Sequence, residues 1–120
     1  MPKLRPLKRS DFACHCGCGF DAVDLELYQV LKRVKRRFCE TVTINSGCRC
    51  ESYNKKVGGS LKSQHIMAKA ADIVVFGIDP SQVASYLEMA YTNKYGVGRY
   101  NTFTHIDVRT KMARWGETNA

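Results

Sequence analysis

The run "AADIVVFG", residues 70–77, reads as a buried strand closed by Gly77. A strand apolar on both faces has to lie inside a sheet, so the rest of the chain must supply partner strands and helices to cover them. Asp72 nevertheless stands near its start, and in "SQHIMAKAAD", residues 63–72, His65 precedes that aspartate by seven positions. If the segment is regular, seven positions is about two helical turns; if it bends into the strand, the aspartate points back at the histidine. Either geometry lets the pair share a metal, provided that a third ligand exists. Without one they are a surface histidine and a strand-end carboxylate.

Other elements follow from periodicity. Leu27, Val30, Leu31, Val34 and Phe38 recur at helical spacing after Asp24, a good N-cap with Glu26 in the first turn, so a helix is expected to run to about Glu40. "TVTIN", residues 41–45, alternates β-branched residues as a strand and is stopped by Ser46 and Gly47. "ESYNKKVGG" predicts a short helix closed by Gly58 or Gly59, and Asp79 followed by Pro80 predicts another helix start, with Val83, Leu87 and Ala90 on one face as far as Tyr91. "YGVGRY" and "FTHIDVR" read as two short strands joined by "NT", a hairpin. The order α, β, α, β, α, β, β predicts an α+β fold: a small, mostly antiparallel sheet with helices packed on it and the metal site on the sheet.

The third ligand lies in that last strand. Period two puts Phe103, His105 and Asp107 on one face. Two histidines and an aspartate from separate segments make a three-ligand zinc site with an open fourth position, the arrangement of a catalytic zinc. Such a zinc suits hydrolysis of an amide.

Composition sets limits. The chain has 120 residues, 44% of them apolar and 25% charged, which fits one domain, residues 1–120, with no stretch long enough to span a bilayer. The basic start "MPKLRPLKRS" lacks an apolar segment after it and does not read as an export signal, so synthesis and residence in the cytoplasm are expected unless something releases the protein. The net charge of +8 gathers in the first nine residues and in "KRVKRR", residues 32–37. That draws polyanions, whether nucleic acid, anionic lipid or a cell-wall polymer; taken alone, "KRVKRR" is the solvated face of a helix whose Val34 lies on the apolar stripe. The six cysteines, Cys14, Cys16, Cys18, Cys39, Cys48 and Cys50, are spaced C-x-C-x-C and C-x-C, closer than the pairs of zinc ribbons and fingers. Free thiols, a cross-link and a metal tie between the two clusters all stay open.

"SGCRCESYNKKVGGSLKSQHIMAKAADI" followed by "GVGRYNTFTHIDVR" closely resembles the zinc D-Ala-D-Ala carboxypeptidase family, which includes phage and bacterial peptidoglycan peptidases and shares a metal core with lysostaphin-type enzymes and the Hedgehog signalling domain. "FACHCGCGFDAVDLEL" is similar to the amino-terminal segment of its small members. The resemblance implies that His65, Asp72 and His105 bind Zn2+, that Arg49 holds a substrate carbonyl or terminal carboxylate, and that Ser63 and Gln64 reach substrate or the ligands' surroundings. A guanidinium with paired N–H groups suits that task. Two positions depart from the family pattern: Ala68 stands where glycine is usual, and Thr102 stands three residues before the last histidine, where several relatives carry a glutamate or aspartate as general base. Asp107 is the best remaining candidate, as base or as a residue that fixes a ligand, with His15 more distant and Tyr100 the other residue to turn to if Asp107 is not the base.

The implied function is a zinc-dependent peptidase hydrolysing amide bonds in peptidoglycan stem peptides, either a phage lysin-like endopeptidase or a D,D-carboxypeptidase, reaching the wall after phage-type release. The expected partner is a stem peptide rather than nucleic acid or membrane, and the expected state is a monomer. The alternative is a catalytically inactive zinc-containing wall-binding module. A nucleic-acid binder ranks last, because the cysteines lack finger spacing and no aromatic-interleaved basic groove is present.

Overall fold

The computed structural model describes residues 6–60 and 63–116. The first part of the basic amino terminus, residues 1–5, therefore lies outside the described residues.

Helix α1 (Leu25–Phe38) begins where the Asp24 carboxylate accepts from the N–H groups of Glu26 and Leu27, and it buries Leu27, Val30, Leu31 and Val34. It stops two residues short of the expected Glu40, because Cys39 turns left-handed at φ 53° and its N–H closes onto the Lys35 carbonyl. Strand β1 (Val42–Ser46), helix α2 (Glu51–Lys56), strand β2 (Ala70–Val75) and helix α3 (Pro80–Ala90) follow, α3 capped by Asp79 with Pro80 at its first position. Strands β3 (Gly96–Arg99), β4 (Thr104–Asp107) and β5 (Ala113–Gly116) complete the fold. β3 and β4 pair antiparallel as expected, but the connection spans residues 100–103 rather than "NT" alone.

One sheet results, with order β1-β2-β4-β3-β5. All neighbours are antiparallel except β3 and β5, which run parallel. β5 was not legible as a strand. It is held by Arg114, whose guanidinium donates to the carbonyl of Tyr91, the residue that caps α3, and to those of Lys94 and Tyr95 in the loop that follows. Along β2, Ala71, Ile73 and Val75 face the core, as do Val42 and Ile44 of β1 and Val97 and Ile106 of β3 and β4; α1 and α3 pack on that side. The opposite face of the same strands carries Asp72, His105 and Asp107. Among the described residues, no helix is long and apolar enough to cross a membrane.

The charges of "KRVKRR" sit on the outer face of α1 while Val34 is fully buried, so the run is an amphipathic helix surface. Two of these charges lie over rings, Lys32 on Tyr28 and Arg37 on Phe38 and Tyr86.

Candidate metal centre

The centre is built on strand register. Asp72 of β2 and His105 of β4 are direct cross-strand partners, which brings carboxylate and imidazole side by side without any loop to position them. His65 arrives from the other direction: residues 63–68 form consecutive turns rather than a helix, and Lys69 leads straight into β2. The chain thus bends into the strand, and Asp72 points back at His65. Ligating atoms of His65, Asp72 and His105 all lie within 4.8 Å of one another, and all three residues are buried.

The protonation pattern around them decides whether a cation fits. His65 Nδ1 faces the Gly47 carbonyl at 2.6 Å; a carbonyl only accepts, so Nδ1 carries the proton and Nε2 presents a lone pair. That Nε2 lies 3.5 Å from Asp72 Oδ1. His105 Nε2 faces Asp107 Oδ2 at 2.8 Å, and its Nδ1 lies 2.9 Å from the same Asp72 oxygen. With the proton of His105 held by Asp107, two imidazole lone pairs and a carboxylate oxygen converge, an arrangement that repels itself unless a cation sits among them. Two nitrogens and one oxygen suit zinc. Without metal, a proton does the same work: burial opposes charge on His105, but hydrogen bonds to Asp107 and Asp72 outweigh it and raise its pKa. Burial likewise pushes the Asp72 carboxyl up, and its hydrogen bonds with His105 and His65 override that and hold it well below the usual carboxylate range.

Asp107 is on the strand face of His105, as period two requires, but the imidazole stands between it and Asp72. Its carboxylate is fully buried, accepts from Arg109 Nε at 2.8 Å and Nη2 at 2.7 Å and from the Gly96 N–H at 3.1 Å, and does not line the cleft. A Cβ on Gly96 would come within 2.4 Å of that carboxylate, so glycine makes the room. Of the two roles open to Asp107, this geometry suits fixing His105.

The cleft has a volume of about 510 Å³ and reaches Arg49, Ser63, Gln64, His65, Asp72 and His105. Arg49 enters it from the loop after β1: Nε donates to Ser46 Oγ, Nη1 donates to Asn54 Oδ1, both at 3.2 Å, and Nη2 stands 3.6 Å from Asp72 Oδ2. Asp72 thus turns one oxygen to the histidines and the other to Arg49. Asn54 was not singled out in the sequence. Only 2% exposed, it also donates to the Ser60 carbonyl, and Gly59 passes so close that a Cβ there would overlap it.

On the far wall, Phe103 was expected on the strand face of His105 and Tyr100 stood as a fall-back for the base, but Trp115 was missed. Tyr100 and Phe103 stack at 4.5 Å between ring centres, and Trp115 of β5 lies 5.0 Å from the His105 ring and donates from Nε1 to the Tyr100 hydroxyl. Gly98, paired with His105 across β3 and β4, makes room for Trp115: a Cβ there would stand 2.6 Å from the indole nitrogen. The signal was the glycine alternation in "YGVGRY" opposite the histidine strand. Thr102 and His15 are exposed and do not line the cleft; the His15 ring lies against Tyr53, 6.2 Å between centres. Ala68 does adopt positive φ, 60°, at the position where the resemblance expects glycine.

No curated protein matches the chain. The family model of peptidase M15 matches residues 5–107, a span that takes in all three converging side chains, and the chain belongs to that family of zinc-dependent metallopeptidases.

Proposed function

We propose that the protein hydrolyses an amide bond in peptidoglycan stem peptides, with zinc held by His65, Asp72 and His105. The observation that carries this reading is the pair of histidines whose protons are directed away, to Gly47 and Asp107, leaving both lone pairs facing one Asp72 oxygen at the base of an open cleft. When bound, zinc supplies Lewis acidity, polarising a carbonyl and acidifying water.

The chain's own residues do the rest. Arg49, held by Ser46 and Asn54, presents its remaining N–H groups to a substrate carboxylate or to the oxygen that gains charge during attack. The Tyr100 hydroxyl accepts from Trp115, so its own proton is free to be donated into the cleft. Asp107 orients His105 rather than acting as base. The ring wall of Tyr100, Phe103 and Trp115 covers one side and limits water, while Ser63 and Gln64 line the other and can hydrogen-bond peptide groups. The basic outer face of α1 favours residence on an anionic wall polymer, as a phage lysin-like enzyme would require.

Among the described lining residues Asp72 is the sole carboxylate, which favours a second reading: a wall-binding module with zinc and no turnover. Digestion of purified peptidoglycan with mass spectrometry of the products separates the two. Fragments that appear with zinc, vanish on chelation and fall about 10²-fold or more with Arg49→Ala support the peptidase. Their masses tell endopeptidase from D,D-carboxypeptidase. A zinc-loaded protein that binds the wall and releases nothing sinks the enzyme reading.

A further inference from the structure

Four of the six cysteines meet at a second place, away from the cleft. Cys14 Sγ lies 3.5 Å from Cys16 Sγ and 3.8 Å from Cys50 Sγ, Cys16 and Cys50 are 3.6 Å apart, and with Cys18 all four sulfurs fall within 4.8 Å of one another. No two are bonded. Four thiolates at about 2.3 Å from a central zinc stand roughly 3.8 Å apart along each tetrahedral edge, and the three separations here, 3.5, 3.6 and 3.8 Å, lie at that value or a few tenths below it. Disulfide formation would pair these sulfurs two by two; here Cys14 stands within 0.3 Å of the same distance from Cys16, at 3.5 Å, and Cys50, at 3.8 Å.

The backbone is shaped to produce this grouping. Residues 14–20 close on themselves through the Cys14 N–H to the Phe20 carbonyl at 2.7 Å and the Gly17 N–H to the Cys14 carbonyl. Gly17 and Gly19 turn the chain at φ 81° and 92°, with open space around both, so their conformation and not crowding calls for glycine. The fourth sulfur comes from 32 or more positions further along, and backbone N–H groups point at two of the sulfurs: Cys50 at Cys14, and Tyr53 at Cys50. Cys48, only two residues from Cys50, is excluded; its buried thiol donates to the carbonyls of Phe12 and Phe20 at 3.1 Å. Cys39 lies against its own helix end. Four soft ligands in tetrahedral proximity select zinc among the common divalent cations of a cell.

We propose that Cys14, Cys16, Cys18 and Cys50 bind a second zinc ion, a structural one, which ties the amino-terminal segment to the loop that carries Arg49. Closed sites of four thiolates contribute to folding rather than to chemistry. None of these four cysteines lines the cleft, so loss of this ion and loss of the cleft's ion can be told apart.

Metal analysis of the purified full chain should give two zinc ions per molecule. A His65→Ala/His105→Ala variant should keep one, and a Cys16→Ser/Cys18→Ser variant should also keep one, so the losses are separable. Replacing zinc by cobalt should give intense thiolate charge-transfer absorption in the wild type and in the histidine variant, and none in the serine variant. A wild type with one zinc, all of it lost in the histidine variant, overturns the proposal, as does iron in place of zinc or disulfides among these residues by mass spectrometry. Should the serine variant fail to fold, alkylation of the intact protein decides. Cys39, exposed and outside the cluster, should label at once, whereas Cys16 and Cys18, equally exposed, should resist until a chelator is added. Immediate labelling of both also overturns it.

Discussion

Replacing Asp107 by asparagine keeps the shape of the side chain and removes its charge, and the structure dictates where the damage goes. One oxygen accepts from the Gly96 N–H and from the backbone and Nε of Arg109; the other accepts from Arg109 Nη2 and faces His105 Nε2. The new amide must present NH2 to one of these sides. Turned toward Gly96 it meets three donors, and toward His105 it meets two, so the second orientation costs less. There the NH2 confronts the His105 N–H, and the imidazole relieves the clash by moving its proton to Nδ1, the atom that faces Asp72. The lone pair aimed at the metal is then gone. Loss of such a ligand-orienting partner weakens metal binding by about 10- to 100-fold, or roughly 1.4 to 2.7 kcal/mol. The unpaired buried groups should add a folding cost of about 1–3 kcal/mol. Competition with a calibrated chelator measures the first, and thermal unfolding of the zinc-free forms measures the second. Wild-type zinc affinity in a variant that has lost turnover would refute the orienting role and make Asp107 a participant in proton transfer.

Asn54→Ala should retain zinc but lose much of the activity, because Arg49 loses one of its two side-chain hydrogen bonds and keeps Ser46 and the Asp72 carboxylate; a fall in kcat with unchanged metal content by elemental analysis is expected, with about 1 kcal/mol of stability lost with the bond to the Ser60 carbonyl, which still accepts from the Ser63 N–H. Gly47→Ala should be among the worst single changes outside the ligands, since its Cβ would stand 2.6 Å from the Phe12 backbone, and a variant that melts within about 2 °C of wild type would show that the two segments separate freely. Ala68→Gly tests the residue with positive φ. Relief of left-handed strain, about 1–2 kcal/mol, is opposed by losing a buried methyl, about 0.8 kcal/mol, and by the freer unfolded chain, about 0.4–1 kcal/mol. The balance is close to zero, so the melting temperature should move by less than about 4 °C, and a rise well beyond that would mean that the strain exceeds the usual range.

Much of this was legible in sequence because it is local. Asp24 and Asp79 cap the helices that they precede, and the apolar period of residues 27–38 fixes which side of α1 is buried. Asp72 and His105 stood out on strands of recognisable period, and His65 through its spacing from Asp72 and the family resemblance. What stayed hidden depends on distant segments meeting. Nothing in "ARWG" alternates; its place as a parallel strand comes from Arg114 reaching the end of α3 and from Trp115 settling over Gly98. Asn54 looks like an ordinary residue of a short helix, and Gly47 like a plain strand stop, until Arg49, Phe12 and His65 close around them. Period two correctly put Asp107 beside His105, but it could not say that the imidazole would stand between that carboxylate and the other ligands.

The cross-strand pairing of Asp72 with His105 makes the metal a judge of register. A slip of β2 against β4 by one residue would turn Asp72 to the helix side and bring Ala71 or Ile73 opposite His105, neither of which can ligate. On the proposed ligand set, zinc would bind the correctly paired sheet and reject its nearest competitors, so the free energy of binding would widen the gap between right and wrong pairings. An ion held there would act as a proofreader during folding: refolding with zinc present should leave fewer mispaired chains than refolding in a chelator followed by zinc.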